Sequence, residues 1–365
     1  MQDTLYKTKR KVVHVVQHLS LGGLENLTLD LLDFSQPSYE VIIISLEGNK
    51  RQAILNWPRL KKFSNQIIFL DKPLGISFRI LIDLNKIFFY LKPDIVHTHH
   101  IGPLLYAGLA AHLLNIRVKI HTEHDVWHLD NYKHRQIQKY LLKICKPILV
   151  TNSNKAKKTL IEKFSYPNII TIKNGIDCKK FQPASKILAR KKMGFPENKI
   201  LIGSSGRLEK IKGHDLIIRA IPLLPKNIHL VIAGQGSQYK NLNNLVHKLN
   251  LNKQVTFTGL LNNMPCFYQS LDLFCLPSYL EGYPLSPLEA QACGIPCAIS
   301  NVGSSKETLC PNNGQLIEAN NILEITKVLK KMLNNPININ PRNFILKNNN
   351  IRTIVKQYES LAWRA

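Results

Sequence analysis

Two glutamates in the stretch "YLEGYPLSPLEAQACGIP" are the first candidates for chemistry in this sequence. Glu281 and Glu289 lie eight residues apart, on either side of a proline-rich turn. Glu281 follows the apolar run "LDLFCLPS", where a strand of an open α/β sheet is expected to end. Ligands bind such sheets in the crevice outside the carboxyl ends of the strands. We therefore interpret the pair as ligand-binding carboxylates.

Glu289 also has a purely structural interpretation. Ser286 could cap a helix, Pro287 suits the first helical position, and Glu289 could complete a capping box. Glu281 does not fit this interpretation, because it precedes the helix on a segment interrupted by glycine and proline.

A second candidate site is the segment "IGSSGRLEKIKGHD", which is expected to end a strand in small residues before Arg207 and Lys212. Glycine and serine let backbone N–H groups approach a phosphate, and the two basic side chains would neutralise its charge. No G-K-[ST] sequence follows, so this is not a Walker loop. The segment predicts a diphosphate site, and the alternative is a glycine turn with two solvated bases.

The expected first strand runs into "LSLGGLEN", where Gly22 and Gly23 precede a helix beginning near Leu24. Two glycines at this turn can expose backbone N–H groups and the positive end of the helix to an anion. Glycine is common in such turns, so the motif gains meaning only beside the others.

Histidines are concentrated in two segments that are expected to end strands of the first domain. They are His97, His99 and His100 in "VHTHH", and His121, His124 and His128 in "IHTEHDVWH". No cysteine lies near them and their spacing matches no common zinc ligand set, so we predict no metal site. The sequence also has no Asp-x-Asp pair for a metal-bridged nucleotide sugar, which favours charge neutralisation by Arg207 and Lys212. We expect one histidine to line the cleft and the others to be ordinary residues.

Strand-like and helical patterns alternate along the sequence, which is typical of parallel sheets covered on both faces. We predict two Rossmann-like doubly wound α/β domains facing across a cleft. The predicted domains are residues 1–175 and 199–345, joined by a linker at 176–198, with a C-terminal helix in 346–365 packing back on the first domain. The strand-like runs are "KVVHVVQHL", "EVIIISL", "NQIIFL", "DIVHTH", "RVKIHTEH", "PILVTNS", "NIITIKNG", "KILIGSSG", "IHLVIAGQG", "QVTFTG", "LDLFCLPS" and "IPCAISN".

The composition supports two cores and a basic protein. With 365 residues and 44% apolar residues, the chain is long enough for two domains. Its net charge of +25 suits an acidic partner, but residues 1–175 carry 25 − 13 = +12 and the remainder 24 − 11 = +13. Charge alone therefore does not identify the binding half.

The cysteines and the hydropathy pattern bear on the compartment. The seven cysteines form no C-x-x-C pair, which predicts a reducing environment. The apolar run near the start is short and contains two histidines, so it predicts a first strand rather than a signal peptide. No stretch reaches the roughly 18–20 apolar residues of a membrane span.

Taken together, these motifs resemble those of the retaining glycosyltransferases of family 4, which have two Rossmann-like domains in the GT-B arrangement. The E-x7-E pattern followed by "ACGIP" is the most specific part, and "GGLEN" and "HTEHD" are similar to enzymes that build lipopolysaccharide or exopolysaccharide. The resemblance covers nearly the whole chain, through "GGLE", "PDIVHTHH", "TEHD", "TIKNGID", "GRLEKIKGHD", "LVIAGQG", "VTFTGL" and "PSYLEGYPLSPLEAQACGIPCAISNVGSSKE".

The resemblance implies a role for each candidate residue of the second domain. Glu281 would hold hydroxyls of the donor sugar, and Glu289 would bind the ribose of the nucleotide. Arg207 and Lys212 would bind the diphosphate. Gly206 and Gly234 would line the donor site.

In the first domain, the resemblance implies that Gly22 and Gly23 face the diphosphate from the opposite wall. His124 would contact the sugar near the reacting centre, with His121 as the alternative.

The function expected from the resemblance is a retaining, metal-independent hexosyltransferase. It would move a sugar from a nucleoside diphosphate sugar to a hydroxyl of a glycan or lipid-linked acceptor in bacterial surface polysaccharide synthesis, without a cofactor. The alternatives are a non-hydrolysing nucleotide-sugar 2-epimerase and a basic nucleic-acid-binding protein. The absence of a basic helix interleaved with exposed aromatic residues argues against nucleic acid.

We expect a cytoplasmic protein that attaches peripherally to the anionic inner face of the cytoplasmic membrane. The candidate contacts are two lysine-rich helical segments of the first domain, "KHRQIQKYLLKICK" and "KAKKTLIEKF".

Overall fold

A computed structural model describes residues 9–335 and 339–363 of the protein. The chain divides into two units. Unit 1 comprises Met1–Asn174 and Ile351–Ala365, and unit 2 comprises Gly175–Asn350.

Each unit is built on one parallel sheet. The sheet of unit 1 has seven strands in the order β3-β2-β1-β4-β5-β6-β7, and that of unit 2 has six in the order β10-β9-β8-β11-β12-β13. The strands are β1 (Arg10–Val16), β2 (Tyr39–Ser45), β3 (Ile67–Phe69), β4 (Ile95–His99), β5 (Val118–Glu123), β6 (Ile148–Thr151), β7 (Ile170–Thr171), β8 (Ile200–Ser205), β9 (Ile228–Ala233), β10 (Val255–Gly259), β11 (Leu273–Leu276), β12 (Cys297–Ser300) and β13 (Gln315–Ile317).

Helices follow most of the strands and pack on the faces of the two sheets. They are α1 (Gly23–Asp33), α2 (Lys50–Asn56), α3 (Phe78–Leu91), α4 (Ile101–Pro103), α5 (Leu109–Leu113), α6 (Tyr132–Cys145), α7 (Asn154–Phe164), α8 (Lys186–Met193), α9 (His214–Ala220), α10 (Tyr239–Lys248), α11 (Met264–Gln269), α12 (Ser286–Ala292), α13 (Ile322–Asn334), α14 (Arg342–Asn348) and α15 (Ile351–Leu361). A π-helical turn at Leu104–Gly108 and short 3₁₀ segments at Pro58–Gln66, Trp127–Asp130, Lys210–Lys212, Ile221–Leu223 and Ser305–Thr308 complete the helical structure.

The two Rossmann-like parallel sheets confirm the predicted fold class. Central strands such as β1 and β9 are buried on both faces, as expected for parallel sheets covered on both sides by helices. Each of the twelve strand-like runs contains a strand. The thirteenth strand, β13, was not predicted, because this three-residue edge strand has no long apolar run.

The predicted linker at residues 176–198 differs from the structure. It lies within unit 2 and contains α8, whose buried Arg190 donates to Asp272 Oδ2 at 2.6 Å and to the carbonyl of Ser270 at 2.9 Å. Helix α8 is held in place by the hydrogen bonds of Arg190 rather than by an apolar face, so hydrophobic periodicity does not predict it.

The C-terminal part of the chain is shared between the units. The predicted helix at 346–365 begins in the structure at Ile351, and α14 before it belongs to unit 2. Ile354, Val355 and Tyr358 of α15 are buried in the core of unit 1, together with Val12 and Val16 of β1.

Strand order identifies where each sheet can bind a ligand. The chain moves outward on one side of β1 and then returns to place β4 on its other side, and β8 and β11 are related in the same way. In such sheets ligands bind outside the carboxyl ends of the strands at this change of direction. Ligand-binding residues are therefore expected at the ends of β1, β4, β8 and β11.

Two further observations bear on the sequence predictions. All seven cysteines are buried free thiols. Within the described parts of the chain, every helix is too short or too polar to cross a membrane.

Candidate functional site

In unit 2, the loops after β8 and β9 meet at two glycines that cannot be replaced without strain. Gly206 has φ +147° and Gly234 has φ +145°. A Cβ on Gly234 would lie 1.9 Å from the carbonyl oxygen of Gly206. Because only glycine allows this approach, the two predicted donor-site glycines form one strand-end corner.

The loop after β8 is held rigidly while its arginine stays available. Glu209 accepts hydrogen bonds from Ser237, at 3.0 Å from the backbone nitrogen and 2.7 Å from the hydroxyl. Leu208 exchanges backbone hydrogen bonds with Gln235 and Gln238. The exposed guanidinium of Arg207 makes no hydrogen bond or ion pair with any described residue. The loop therefore holds the backbone of Arg207 at the carboxyl end of β8 and leaves its guanidinium available to a ligand.

Lys212, the second predicted phosphate ligand, is paired with Glu281. Lys212 Nζ donates to Glu281 Oε1 at 2.6 Å, and Ser278 Oγ donates to the same oxygen at 2.7 Å. Oε2 of Glu281 accepts no hydrogen bond from the described residues, although the side chain is only 7% exposed. A Cβ on Gly303 would lie 1.6 Å from the carbonyl oxygen of Glu281, so close packing fixes the backbone here. This arrangement leaves one carboxylate oxygen available to a ligand.

Glu289 is linked to the end of β8 through a buried tyrosine. Tyr268 OH donates to Glu289 Oε2 at 2.7 Å and lies 3.0 Å from Ser205 Oγ. Burial, and then the charge of Glu289, raises the pKa of Tyr268 well above its usual range. Tyr268 therefore remains a neutral donor that holds the carboxylate in place.

The capping-box interpretation of Glu289 is not supported. Helix α12 begins at Ser286 itself and its N-cap is Leu285, so Ser286 is not the capping residue that a capping box requires. In "MPCFYQ" nothing distinguishes Tyr268 from an ordinary core aromatic residue, so the sequence does not predict its contact with Glu289.

In unit 1, the predicted glycine turn lies against a carboxylate of the protein itself. Helix α1 begins at Gly23 with Gly22 as its N-cap. A Cβ on Gly22 would lie 2.2 Å from Glu25 Oε2, and Glu25 is also 3.1 Å from His18 Nδ1. The corner predicted to face an anion thus holds Glu25 in this structure.

The histidines of unit 1 lie on both faces of its sheet. On one face His14 Nδ1 is 3.2 Å from His99 Nε2, and His99 Nδ1 is 3.0 Å from His124 Nε2. The neighbouring His97 contacts Thr122 Oγ1 at 2.7 Å. Potential ligand nitrogens of His14, His97 and His99 lie within 4.8 Å of one another, so this is the histidine group to consider for a metal.

On the other face the histidines surround the buried Glu123. Its Oε1 accepts from His121 Nε2 at 2.7 Å and from Gln138 Nε2 at 2.7 Å, whereas its Oε2 accepts no hydrogen bond from the part of the chain that the structure describes. Burial alone would raise the pKa of Glu123, but the imidazoles of His100 and His121 hold it well below its usual range. Burial would lower the pKa of His128, yet the neighbouring carboxylates raise it to about 9. On this face the neighbouring histidines therefore stabilise the negative charge of the buried Glu123 carboxylate.

The two histidines considered for the sugar contact differ in their free nitrogens. His121 is fully buried and uses both nitrogens, Nε2 toward Glu123 and Nδ1 toward Thr98 Oγ1 at 2.9 Å. His124 uses Nε2 toward His99, and its Nδ1 has no partner among the described residues. Asn152 fixes the backbone of His124 by donating to its carbonyl oxygen at 2.7 Å. His124 alone of the two keeps a nitrogen for a ligand.

Comparison with known proteins shows similarity over nearly the whole chain. The model described as Glycosyltransferase Family 4 matches residues 21–180, and that described as Glycosyl transferases group 1 matches residues 185–351. An uncharacterized glycosyltransferase of Haemophilus influenzae is 30% identical over 328 residues, which cover 87% of this chain and 88% of that protein.

A second relative and a solved structure extend the comparison. The UDP-Gal:alpha-D-GlcNAc-diphosphoundecaprenol alpha-1,3-galactosyltransferase of Escherichia coli is 28% identical and covers 97% of this chain and 96% of its own length. The crystal structure of Anabaena HepE in complex with UDP-glucose matches with a TM-score of 0.84 at 19% identity, covering 96% of this chain and 99% of that one. At that identity, the structural likeness shows a shared fold.

Proposed function

The chain belongs to glycosyltransferase family 4, and we propose that it transfers a sugar from a nucleoside diphosphate donor to a hydroxyl of a glycan or lipid-linked acceptor, with retention at the anomeric carbon. The arrangement at the end of β8 carries the proposal, because a free Arg207 lies on a loop adjoining Gly206 and Gly234. The Escherichia coli relative is named for a UDP-galactose donor and a lipid-linked diphosphate acceptor, and the Anabaena structure contains UDP-glucose. A UDP-sugar is thus the first candidate for the donor, and a lipid-linked glycan of surface polysaccharide synthesis is the first candidate for the acceptor.

In the proposed reaction the leaving diphosphate is stabilised by the positive charges of Arg207 and Lys212. As the C1–O bond of the donor breaks, the sugar becomes oxocarbenium-like and negative charge grows on the departing phosphate. Arg207 would contribute most when that charge is largest. Lys212 would share its charge between the phosphate and Glu281, to which it is already bonded. These two cations supply the role that a metal plays elsewhere, so we propose a metal-independent reaction without a cofactor.

The two glutamates have separate proposed roles. The free Oε2 of Glu281 would accept hydrogen bonds from hydroxyls of the donor sugar. Glu289, which Tyr268 holds from one side, would accept from the ribose hydroxyls of the nucleotide. Attack by the acceptor would occur on the face that the phosphate leaves, with the departing oxygen helping to remove the acceptor proton.

In unit 1, we assign the sugar contact to His124. Its unpartnered Nδ1 supports this choice over His121, whose nitrogens are both committed inside the protein. Gly22 and Gly23 would face the diphosphate only if the carboxylate of Glu25 moved from its place beside Gly22.

Attachment to the cytoplasmic face of the membrane would bring the enzyme to a lipid-linked acceptor. The observation that supports it is an exposed stripe on α6, formed by Ile137, Tyr140 and Ile144, which are 40%, 64% and 45% exposed. Lysines flank this stripe, as is typical of helices that lie in a membrane interface.

A thermal-shift screen of UDP-, GDP- and ADP-sugars tests the donor site. A donor at about 100 times its Kd should stabilise the protein by roughly 2.7 kcal/mol. Arg207→Ala should abolish most of the shift, whereas Lys210→Ala, an exposed lysine of the same loop, should keep it. If no nucleotide sugar shifts the wild-type protein, the proposed donor site is wrong.

Incubation of the donor without an acceptor separates the transferase from the epimerase. A transferase releases at most slow free sugar and nucleoside diphosphate, whereas an epimerase forms a second nucleotide sugar. The nucleic-acid alternative has no support among the relatives, which are glycosyltransferases. Salt-sensitive binding of an oligonucleotide that competes with the donor would restore it.

A further inference from the structure

Behind His124 lies a row of imidazoles for which the proposed reaction has no use. His14 on β1, His99 at the end of β4 and His124 after β5 are joined end to end, at 3.2 Å and 3.0 Å between their ring nitrogens. The three side chains are 5%, 0% and 7% exposed. The row begins at the change of direction between β1 and β4 and ends at the free Nδ1 of His124.

The strands fix the spacing of this row. His14 pairs with His97 across β1 and β4, and His99 pairs with Thr122 across β4 and β5. The side chains of alternate residues point to the same face of a sheet, so His97 and His99 lie on one face with Thr122. The hydrogen bond from Asn152 then holds the turn that carries His124. The row is therefore part of the rigid sheet rather than a chance contact between mobile side chains.

In such a row the tautomer of each neutral imidazole depends on the tautomer of its neighbour. Burial is the largest cause that lowers the pKa of all three, for His14 to about 4. A neutral imidazole has one N–H donor and one acceptor nitrogen. If His14 donates from Nδ1, then His99 must accept at Nε2 and donate from Nδ1, and His124 must keep its proton on Nδ1. The opposite state has every proton on Nε2.

The ring geometry fits this hydrogen-bonded row better than it fits a metal ion bound by His14, His97 and His99. The rings of His97 and His99 are stacked, with centroids 4.1 Å apart and planes inclined by 29°. The lone pairs of imidazole lie in the ring plane, so stacked rings direct them side by side rather than toward one ion. His97 Nε2 is also engaged with Thr122, and both nitrogens of His99 are engaged with other histidines.

We propose that His14 and His99 are positioning residues that set the tautomer of His124, and so decide whether its Nδ1 donates a hydrogen bond to the substrate or accepts one. The role of His124 in this proposal rests on the proposed function, in which it contacts the donor sugar. The coupling itself is a property of unit 1 and needs no substrate. A hydroxyl bound at Nδ1 would select one tautomer for all three histidines, with no motion of the strands.

Long-range nitrogen–hydrogen correlation NMR on protein labelled with ¹⁵N-histidine tests the coupling directly, because it distinguishes Nδ1–H from Nε2–H. In the wild-type protein at pH 7.5, without ligand, His14, His99 and His124 should hold the same tautomer. Loss of single signals in His14→Gln, His99→Phe and His124→Gln assigns them. Opposite tautomers on His99 and His124 would overturn the proposal without reference to any variant's stability or activity.

A variant and a matched control extend the test. His99→Phe keeps a flat ring but breaks both hydrogen bonds, so His124 should change to the mixture of tautomers seen for a free imidazole. His97→Phe removes a ring stacked on the same cluster that has no bond to the row, so the tautomer of His124 should not change. If both variants fold and leave His124 unchanged, the row does not act as proposed. Zn²⁺ at one equivalent should not shift the signals; joint shifts of His14, His97 and His99 would assign the cluster to a metal and also overturn the proposal.

Kinetics show whether the coupling matters to the reaction. In His14→Phe, two residues away from the substrate along the row, we expect kcat to fall about 10-fold with donor KM unchanged. His14→Gln should recover most of the loss, since an amide can donate or accept at that place. Full kcat in His14→Phe would contradict the positioning role. If no donor supports transfer at all, the proposed function fails while the NMR result still decides the coupling.

Discussion

At the scale of single residues, Glu281 and Glu289 have different neighbours, and this difference predicts how each responds to substitution. Glu281 shares Oε1 between Lys212 and Ser278 and keeps Oε2 free. Glu289 is held by Tyr268, a neutral donor. One carboxylate thus pairs with a lysine beside the proposed sugar subsite, and the other accepts a hydrogen bond from a tyrosine beside the proposed ribose subsite.

Glu281→Gln should lower kcat by about 10- to 100-fold, the range expected when a hydrogen bond to a charged group is weakened. An amide cannot accept equally from two sugar hydroxyls, and Lys212 loses its partner in the free enzyme. Donor KM should change less than kcat, because the sugar changes shape mainly in the transition state. Steady-state kinetics with the identified donor measures both constants.

Glu289→Gln should instead raise donor KM and leave kcat within a few-fold, because ribose hardly changes during the reaction. The amide oxygen can still accept from Tyr268, so the melting temperature should stay close to that of the wild-type protein. A fall of several degrees with an unchanged donor KM would assign Glu289 a structural role and contradict the ribose contact.

The sequence indicates the candidate residues of the site but not the residues that hold them. Arg207, Glu281 and Glu289 stand in motifs whose residue types indicate anion and hydroxyl binding. Tyr268 and His14 do not, since one lies among core aromatics and the other among valines of a strand. Their roles depend on which strands are neighbours and in which register, and spacing along the chain does not contain that information.

At the scale of elements, α15 should contribute to the stability of unit 1, because it packs in the core of that unit. Ile354 is 2% exposed and packs in the core of that unit. Ile354→Ala should lower the free energy of unfolding of unit 1 by about 2–4 kcal/mol, because it leaves a cavity. Urea unfolding followed by tryptophan fluorescence measures this, since Trp57, Trp127 and Trp363 all fall in unit 1.

Lys356→Ala on the exposed face of the same helix is the control, and it should change stability by less than about 0.5 kcal/mol. Equal effects of the two substitutions would mean that α15 does not stabilise unit 1.

Helix α6 is the element that should carry membrane binding. Its exposed Ile137, Tyr140 and Ile144 are flanked by Lys139 and Lys143. Each basic residue near an anionic surface contributes about 1 kcal/mol. Lys139→Glu with Lys143→Glu should therefore weaken binding to vesicles with anionic lipid at low salt by at least roughly 30-fold, as measured by flotation.

The control for α6 changes the net charge equally on the other unit. Lys330→Glu with Lys331→Glu places two acidic residues at exposed positions of α13 and should weaken binding far less. Equal losses in both variants, or equal binding of the wild-type protein to neutral vesicles, would indicate a solvated helix in a generally basic protein.

Hydrophobic pattern predicted the elements well where apolar residues build them. Helices α1 and α3 lie in "LENLTLDLLDF" and "RILIDLNKIFFYLK", two segments whose apolar residues recur with helical periodicity. Helix α8 was missed because the buried Arg190 anchors it, and an arginine in a sequence predicts exposure. The side-chain cap at Ser185, which accepts from the backbone of Leu188, was the available signal.

At the scale of the whole molecule, the histidines should make unit 1 more sensitive to acid than unit 2. Burial lowers the pKa of His14 to about 4 and those of His97, His99 and His124 well below the usual range. In unit 2, burial lowers the pKa of His214 to about 4 and also lowers that of His229. These groups take up protons in the unfolded chain near pH 6.5 but not in the folded one. The stability that these histidines contribute is therefore complete above about pH 6.5 and is lost as pH falls toward 4, by up to about 1.4 kcal/mol per pH unit for each group.

Urea unfolding at a series of pH values tests this difference between the units. The tryptophan transition, which reports unit 1, should move to lower urea between pH 6.5 and 4 more steeply than the remaining circular-dichroism transition. Above pH 6.5 the stability of unit 1 should instead decrease as pH rises. The pKa of His128 is raised to about 9, so the stability that this histidine contributes is lost as pH rises through that value. A tryptophan transition that does not move with pH would show that the buried histidines are protonated at no cost.

The return of α15 to unit 1 has a consequence for the order of events during synthesis. The ribosome makes Asn174 before any of unit 2, and it reaches Ile351 only after Asn350. At about 5–20 residues per second, the intervening segment takes roughly 9–35 s. During that interval the apolar face around Val12 and Val16 lacks the helix that covers it. Unit 2 can therefore fold on the nascent chain before unit 1 is complete. Until α15 is made, the exposed apolar surface of unit 1 can bind chaperones.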